Sequence, residues 1–228
     1  MRVQFFIKDI RFLVLATILT TAPLTTIKAD TLVAYTFGPD SAGGTLTADI
    51  GASLSSISWD SGGAAGYANT FSGQGAALSV GSFQAGEYYQ ITLDASGYQN
   101  VIFNSFRANG SDTAPVNWKI SYSLTGTSGA FTDATTFSIM NATASGSTTI
   151  TGFTLPAGAD NNAGIVLRMI ATTSNRVDGT LTVANGTFRI DNISFSAVAI
   201  PEHEMHTLAV GLAILGLVVR RRLKVACG

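Results

Sequence analysis

Residues 30 to 199 alternate apolar and polar side chains with a period of two and show no stretch of helical period. That pattern closes off most folds open to a chain of 228 residues. Tyr89, Ile91 and Leu93 fall on one side of an extended strand, with Tyr88, Gln90 and Thr92 on the other. Trp118, Ile120, Tyr122 and Leu124 alternate with Lys119, Ser121 and Ser123, the pattern of a half-buried strand with Trp118 inside. Ile165, Leu167 and Met169 form a third apolar row, opposite Arg168. Further strands are expected at 32–37, 53–59, 77–83, 99–107, 131–139, 148–155 and 187–196. Turn formers punctuate them: Pro39–Asp40–Ser41, Asp60–Ser61–Gly62–Gly63, Asn109–Gly110, Asp160–Asn161–Asn162 and Asp178–Gly179. About ten short strands at such spacing predict an all-β, antiparallel two-sheet jelly-roll-like sandwich. No repeat of fixed period points to a propeller or solenoid. The alternation slips at Asp191–Asn192, so either both faces of that strand are covered or a bulge lies there.

The two ends read differently. Arg2, Lys8 and Arg11 precede an apolar run at 12–24, and Ala29 is a plausible cleavage point, so 1–29 has the parts of a secretory signal peptide. At the other end, Pro201–Glu202–His203 leads into an uncharged run at 207–219, followed by Arg220, Arg221 and Arg222. Thirteen residues at ~1.5 Å each reach about 20 Å, short of a ~30 Å hydrocarbon core, so a span would draw in 206 and rely on snorkelling arginines. The division expected is a signal peptide at 1–29, a β-sandwich at 30–199 and a tail at 200–228. The tail would hold a transmembrane helix near 206–219, with the basic cluster on the cytoplasmic side.

Pro201, Glu202, the apolar helix and Arg220, Arg221 and Arg222 together resemble the PEP-CTERM sorting signal of exported Gram-negative bacterial proteins. The resemblance implies export, transient tethering in the inner membrane, and handling there by an exosortase-type enzyme that removes the tail and releases or attaches the protein at the cell surface. It covers 28 residues and implies sorting rather than activity. His203 stands where the family has a second proline, and residues 223–228 continue past the arginines. Separately, the segment GTFRIDNISF at 186–195 resembles the closing strand of jelly-roll carbohydrate-binding modules. That resemblance implies a structural calcium with Asp191 among its ligands.

Composition narrows the function classes. Residues 30–200 hold five basic and eleven acidic side chains, a net charge of −6, which disfavours nucleic acid as a partner. They contain no histidine and no cysteine, since His203, His206 and Cys227 all lie in the tail. Ser–His–Asp and Cys–His catalysis and the usual zinc sites therefore have no residues to use. Glu87 is the only glutamate there, and most aspartates sit beside Gly, Ser or Asn as turn formers, so a two-carboxylate hydrolase is the weakest reading. Trp59, Tyr67, Phe71, Tyr88 and Tyr98 offer ring faces for stacking on sugars, with Trp59 the candidate because it adjoins the 60–63 turn. The leading expectation is a non-enzymatic surface or extracellular-matrix component of structural or adhesive type. The alternative is a glycan-binding module with a structural calcium; no cofactor is required in either case, and extracellular polysaccharide is the expected partner.

Overall fold

The computed structural model describes residues 28–37, 46–68, 77–140, 147–180 and 184–201. The signal segment and all of the sorting tail beyond Pro201 lie outside them, as does Phe71. Among the described residues no helix is long and apolar enough to cross a membrane.

Among the described residues fourteen strands run in chain order: β1 (Asp30–Tyr35), β2 (Ser55–Asp60), β3 (Ala65–Ala68), β4 (Ala77–Phe83), β5 (Tyr88–Leu93), β6 (Tyr98–Phe103) and β7 (Phe106–Gly110), then β8 (Asn117–Ser123), β9 (Thr132–Ser138), β10 (Thr148–Ile150), β11 (Phe153–Thr154), β12 (Ile165–Ala171), β13 (Gly186–Asp191) and β14 (Ile193–Ala199). All pairings are antiparallel and fall in three sheets, ordered β1-β14-β6-β11, β10-β7-β13-β4-β3 and β2-β5-β12-β8-β9.

The first two sheets make one bent layer, because three chain segments pass from one to the other. The expected strands at 99–107, 148–155 and 187–196 each break in two at this bend: β6 to β7 at Asn104–Ser105, β10 to β11 at Thr151–Gly152, and β13 to β14 at Asn192. Asn192 takes φ 56°, a left-handed conformation that asparagine tolerates better than most residues. This is the physical origin of the alternation slip, for Ile190 and Ile193 are both fully buried on either side of it. Gly152 is required at its crossing, since a Cβ there would lie 2.1 Å from the Phe103 carbonyl oxygen. Asn104 fastens the bend by donating its side-chain amide to Ser194 Oγ at 3.1 Å and its backbone N–H to the Ser194 carbonyl at 2.9 Å.

The third sheet packs face to face on this layer. Trp118 of β8 stacks on Phe188 of β13 at 3.9 Å between ring centroids and donates its indole N–H to the Pro115 carbonyl at 2.8 Å. Phe83 and Tyr89 complete the cluster, and the Tyr89 hydroxyl donates across the interface to the Phe188 carbonyl at 3.0 Å. Phe103, Phe106 and Phe195 form a second aromatic group nearer the bend. Burying each such ring contributes about 1.5–3 kcal/mol, so these two groups account for much of the sandwich's cohesion.

Ser121 and Ser123, expected in solvent, are buried. The β8–β9 pairing shifts register between Ile120 and Ser121, and Ser121 donates its hydroxyl to Asp133 at 2.6 Å. Gly129 of the β8–β9 loop lies so close that a Cβ there would be 2.6 Å from Ser123 Oγ. A loop folding back over its own sheet is invisible to strand periodicity.

Candidate functional site

The outward face of the β2-β5-β12-β8-β9 sheet brings chemistry-bearing side chains into rows that cross four or all five strands. Register aligns Ser58, Gln90, Arg168, Ser121 and Asp133 in one such row. The next row is Asp60, Tyr88, Ile170, Lys119 and Thr136. On the other side of the first lie Ser56, Thr92, Val166 and Ser123. Of the three rows Ser121, Val166 and Ser123 are buried, which leaves the exposed part of the face on β2, β5, β9 and the Arg168, Ile170 and Lys119 side chains. Period two explains the set: in β5, Tyr89, Ile91 and Leu93 are buried while Tyr88, Gln90 and Thr92 are half-buried.

Arg168 is the centre of this face. Its guanidinium carbon lies 4.2 Å from the ring centroids of both Tyr88 and Phe131. Its Nε donates to Gln90 Oε1 at 2.9 Å, and Nη2 donates to the Thr127 carbonyl at 3.3 Å. Two cation–π contacts and two hydrogen bonds fix the side chain and pin the β8–β9 loop to the sheet. Beside it, Lys119 Nζ meets Asp133 at 2.9 Å. The Ser121 hydroxyl and then the Lys119 ammonium hold the Asp133 carboxyl below the usual carboxylate range. The result is a rigid surface of hydroxyl, amide, carboxylate and aromatic groups, the donor and acceptor types that match sugar hydroxyls and the apolar faces of sugar rings.

At one end of the face, an open cavity of about 240 Å³ is lined by Ser53, Leu54, Ser56, Thr92, Asp94 and Ala163 among others. The Ser56 and Thr92 hydroxyls share a hydrogen bond of 2.7 Å there. Ser55 lies behind them, accepting from the Tyr35 hydroxyl at 2.9 Å and donating to the Thr92 carbonyl at 2.7 Å.

The residues picked out from sequence are dispersed. Trp59 is half-buried against the core, and its indole N–H donates to the Gly63 carbonyl at 3.3 Å. Tyr98 also packs against the core, and Tyr67 belongs to β3. Of the named aromatics among the described residues, Tyr88 alone is placed on the outward rows. Pro201 is exposed at the end of the described chain, while Glu202, Arg220, Arg221 and Arg222 are not described.

Asp191 is fully buried on β13, in register with Arg107 of β7. Its two carboxylate oxygens accept from the Asn192 backbone N–H at 2.7 Å and the Asn192 side-chain amide at 3.1 Å. Burial pushes its pKa up to about 6, against the opposing effects of the Asn192 N–H and Arg107. Arg107 is its register partner on β7, and no group of three or more His, Cys, Asp or Glu gathers among the described residues. No step below is routed through calcium.

Sequence periodicity missed Arg168 and Phe131 as a unit, because the loop that brings Phe131 over β12 has no periodic signal. The register of Arg168 opposite Gln90 was readable only once β5 and β12 were known to be neighbours.

No family model matches the chain, and no curated protein does. Solved structures are similar in fold. The N-terminal CBM22-1–CBM22-2 tandem domain of Paenibacillus barcinonensis Xyn10C superposes with a TM-score of 0.50 at 13% identity, over 77% of this chain and 48% of that one. The CBM22-1–GH10 modules of Clostridium thermocellum Xyn10B, complexed with xylohexaose, give 0.47 at 13% identity, over 75% of this chain and 29% of that one. The family 11 carbohydrate-binding module of Clostridium thermocellum Lic26A-Cel5E gives 0.35 at 14% identity, over 78% of this chain and 99% of that one. The chain thus spans about half the length of the tandem domain. At such identities the likeness is one of fold: an all-β sandwich shared with the tandem CBM22 domain.

Proposed function

We propose that this protein is a non-catalytic glycan-binding module whose ligand lies along the outward face of the β2-β5-β12-β8-β9 sheet. The observation that carries the reading is the fixed Tyr88–Arg168–Phe131 stack set among the polar rows of that sheet. The sandwich shared with a tandem carbohydrate-binding domain supports it. A preorganised surface binds with little ordering cost, which is the advantage of a rigid sheet face over a loop. The glycan-binding alternative from sequence thereby replaces the purely structural or adhesive role as the leading reading. Export, the inner-membrane tether and exosortase-type processing rest on residues 1–29 and 201–222 alone. They would bring this face to extracellular polysaccharide.

A glycan array probed with the protein tests the reading. Wild type is expected to bind a restricted set of oligosaccharides, and Tyr88→Ala to lose that binding with its melting temperature little changed. No binding to any glycan would defeat the proposal. Mass spectrometry of the secreted form tests the processing separately: an intact Arg220–Arg222 cluster would remove it.

A further inference from the structure

We infer that the cavity bounded by Leu54, Ser56, Thr92 and Asp94 is a subsite for one neutral, hydroxyl-rich sugar ring of the bound glycan, with Asp94 selecting against uronic acids. This inference rests on the glycan-binding reading above and names the chemistry that one end of the face accepts.

Position comes first. Ser56 and Thr92 are paired in register and form the β2 and β5 members of an outward row, so the cavity continues the proposed binding surface rather than standing apart from it. The Asp94 backbone N–H donates to the Leu54 carbonyl at 2.7 Å, which ties the end of β5 to the turn before β2 and holds the cavity wall in place. A volume of about 240 Å³ has room for a single sugar ring.

The chemistry of the lining follows. Leu54 and Ala163 supply apolar surface for the C–H face of a ring. The Ser56–Thr92 hydroxyl pair spends one donor on its mutual hydrogen bond and keeps a second donor and several lone pairs for a ligand. Asp94 Oδ1 accepts the Ser96 backbone N–H at 2.8 Å. A carboxylate has about four acceptor positions, so capacity remains for two adjacent sugar hydroxyls. Hydrogen bonds from the Ser96 hydroxyl and N–H also lower the Asp94 pKa, keeping the group ionised.

Charge decides between sugar classes. None of the lining residues is basic, and the only charge among them is the Asp94 carboxylate. A uronic acid placed here would set like charges together with no basic side chain in the lining, inside a domain already carrying a net −6 over residues 30–200. A neutral ring meets no such penalty.

The test compares wild type, Asp94→Asn, Asp94→Ala and Tyr88→Ala on an array holding neutral oligosaccharides and oligouronates. Titration calorimetry then measures the best neutral hit and hexagalacturonate. Expected are hits confined to neutral glycans, a loss of at least about tenfold in affinity in both Asp94 variants, and an unchanged melting temperature in Asp94→Asn. Full affinity in both Asp94 variants, or hexagalacturonate bound as tightly as the neutral hit, would overturn the subsite while leaving the sheet face as the binding surface. Binding that survives Tyr88→Ala but falls in the Asp94 variants would keep the subsite and refute the face. No glycan bound by any form would overturn both.

Discussion

The two faces of the β2-β5-β12-β8-β9 sheet come from the same strands and carry opposite chemistry. Inward, Tyr89, Ile91, Trp118, Ile120 and Met169 are shielded from water and meet the other layer through ring stacking at distances down to 3.9 Å. Outward, one residue along each strand, Tyr88, Gln90, Arg168 and Lys119 keep part of their surface in solvent. Both faces are rigid, but by different means. The inner face is held by packing, which contributes directly to folding stability. The outer face is held by a clasp of cation–π contacts and hydrogen bonds around Arg168, which contributes less stability and fixes geometry. A sheet with one face committed to the core can vary the other at low cost, and this is why recognition is assigned to the outward rows.

Substitutions on each face sharpen that contrast. The largest effect is expected inside: Trp118→Ala removes the ring stacked on Phe188 and its indole hydrogen bond, and should lower unfolding free energy by about 3–5 kcal/mol in a denaturant titration.

Next comes Asp191→Asn in the opposite layer. The folded-state pKa of Asp191 is about 6, above the ~3.9 of an unfolded aspartate, so folding favours the protonated form. Stability from this group is therefore present at low pH and lost as pH rises between about 4 and 6, a difference of about 3 kcal/mol that stays lost above that window. Asn cannot ionise. The variant should be more stable than wild type at pH 7.5 and indistinguishable from it near pH 4 in thermal unfolding.

A smaller effect is expected from Arg168→Lys, which keeps the charge but loses the planar fork between Tyr88 and Phe131. About 1–2 kcal/mol of stability should go, together with faster proteolysis in the 124–131 loop and weaker glycan binding. The smallest concerns Lys119 and Asp133, a largely exposed pair, whose coupling in a double-mutant cycle should not exceed about 1 kcal/mol. A coupling several times larger would mean the outer face carries folding stability as the inner one does.

The fold was legible where alternation was clean. In β5, β8 and β12 the inward residues Tyr89, Trp118 and Leu167 are all buried as their phase requires. It was illegible where the chain changes sheets, because β6 and β7, or β13 and β14, read as one continuous strand until the positive φ of Asn192 and the close approach at Gly152 are known. The candidate site was less legible still. Tyr88 stood among five aromatics with nothing in the sequence to rank it above Trp59, whose ring proves to lean on the core. What distinguishes Tyr88 is a cation arriving from β12, 80 positions along the chain, which in turn meets the ring of Phe131 on a loop 37 positions before it.

Hydroxyl-radical footprinting with and without the tightest-binding array glycan tests most directly that this sheet face is where ligand lies. Oxidation of Tyr88 and Phe131 should fall on binding, while Met140, an exposed residue away from the outward rows, reacts as before. Unchanged oxidation of Tyr88 and Phe131 under saturating glycan would contradict the account.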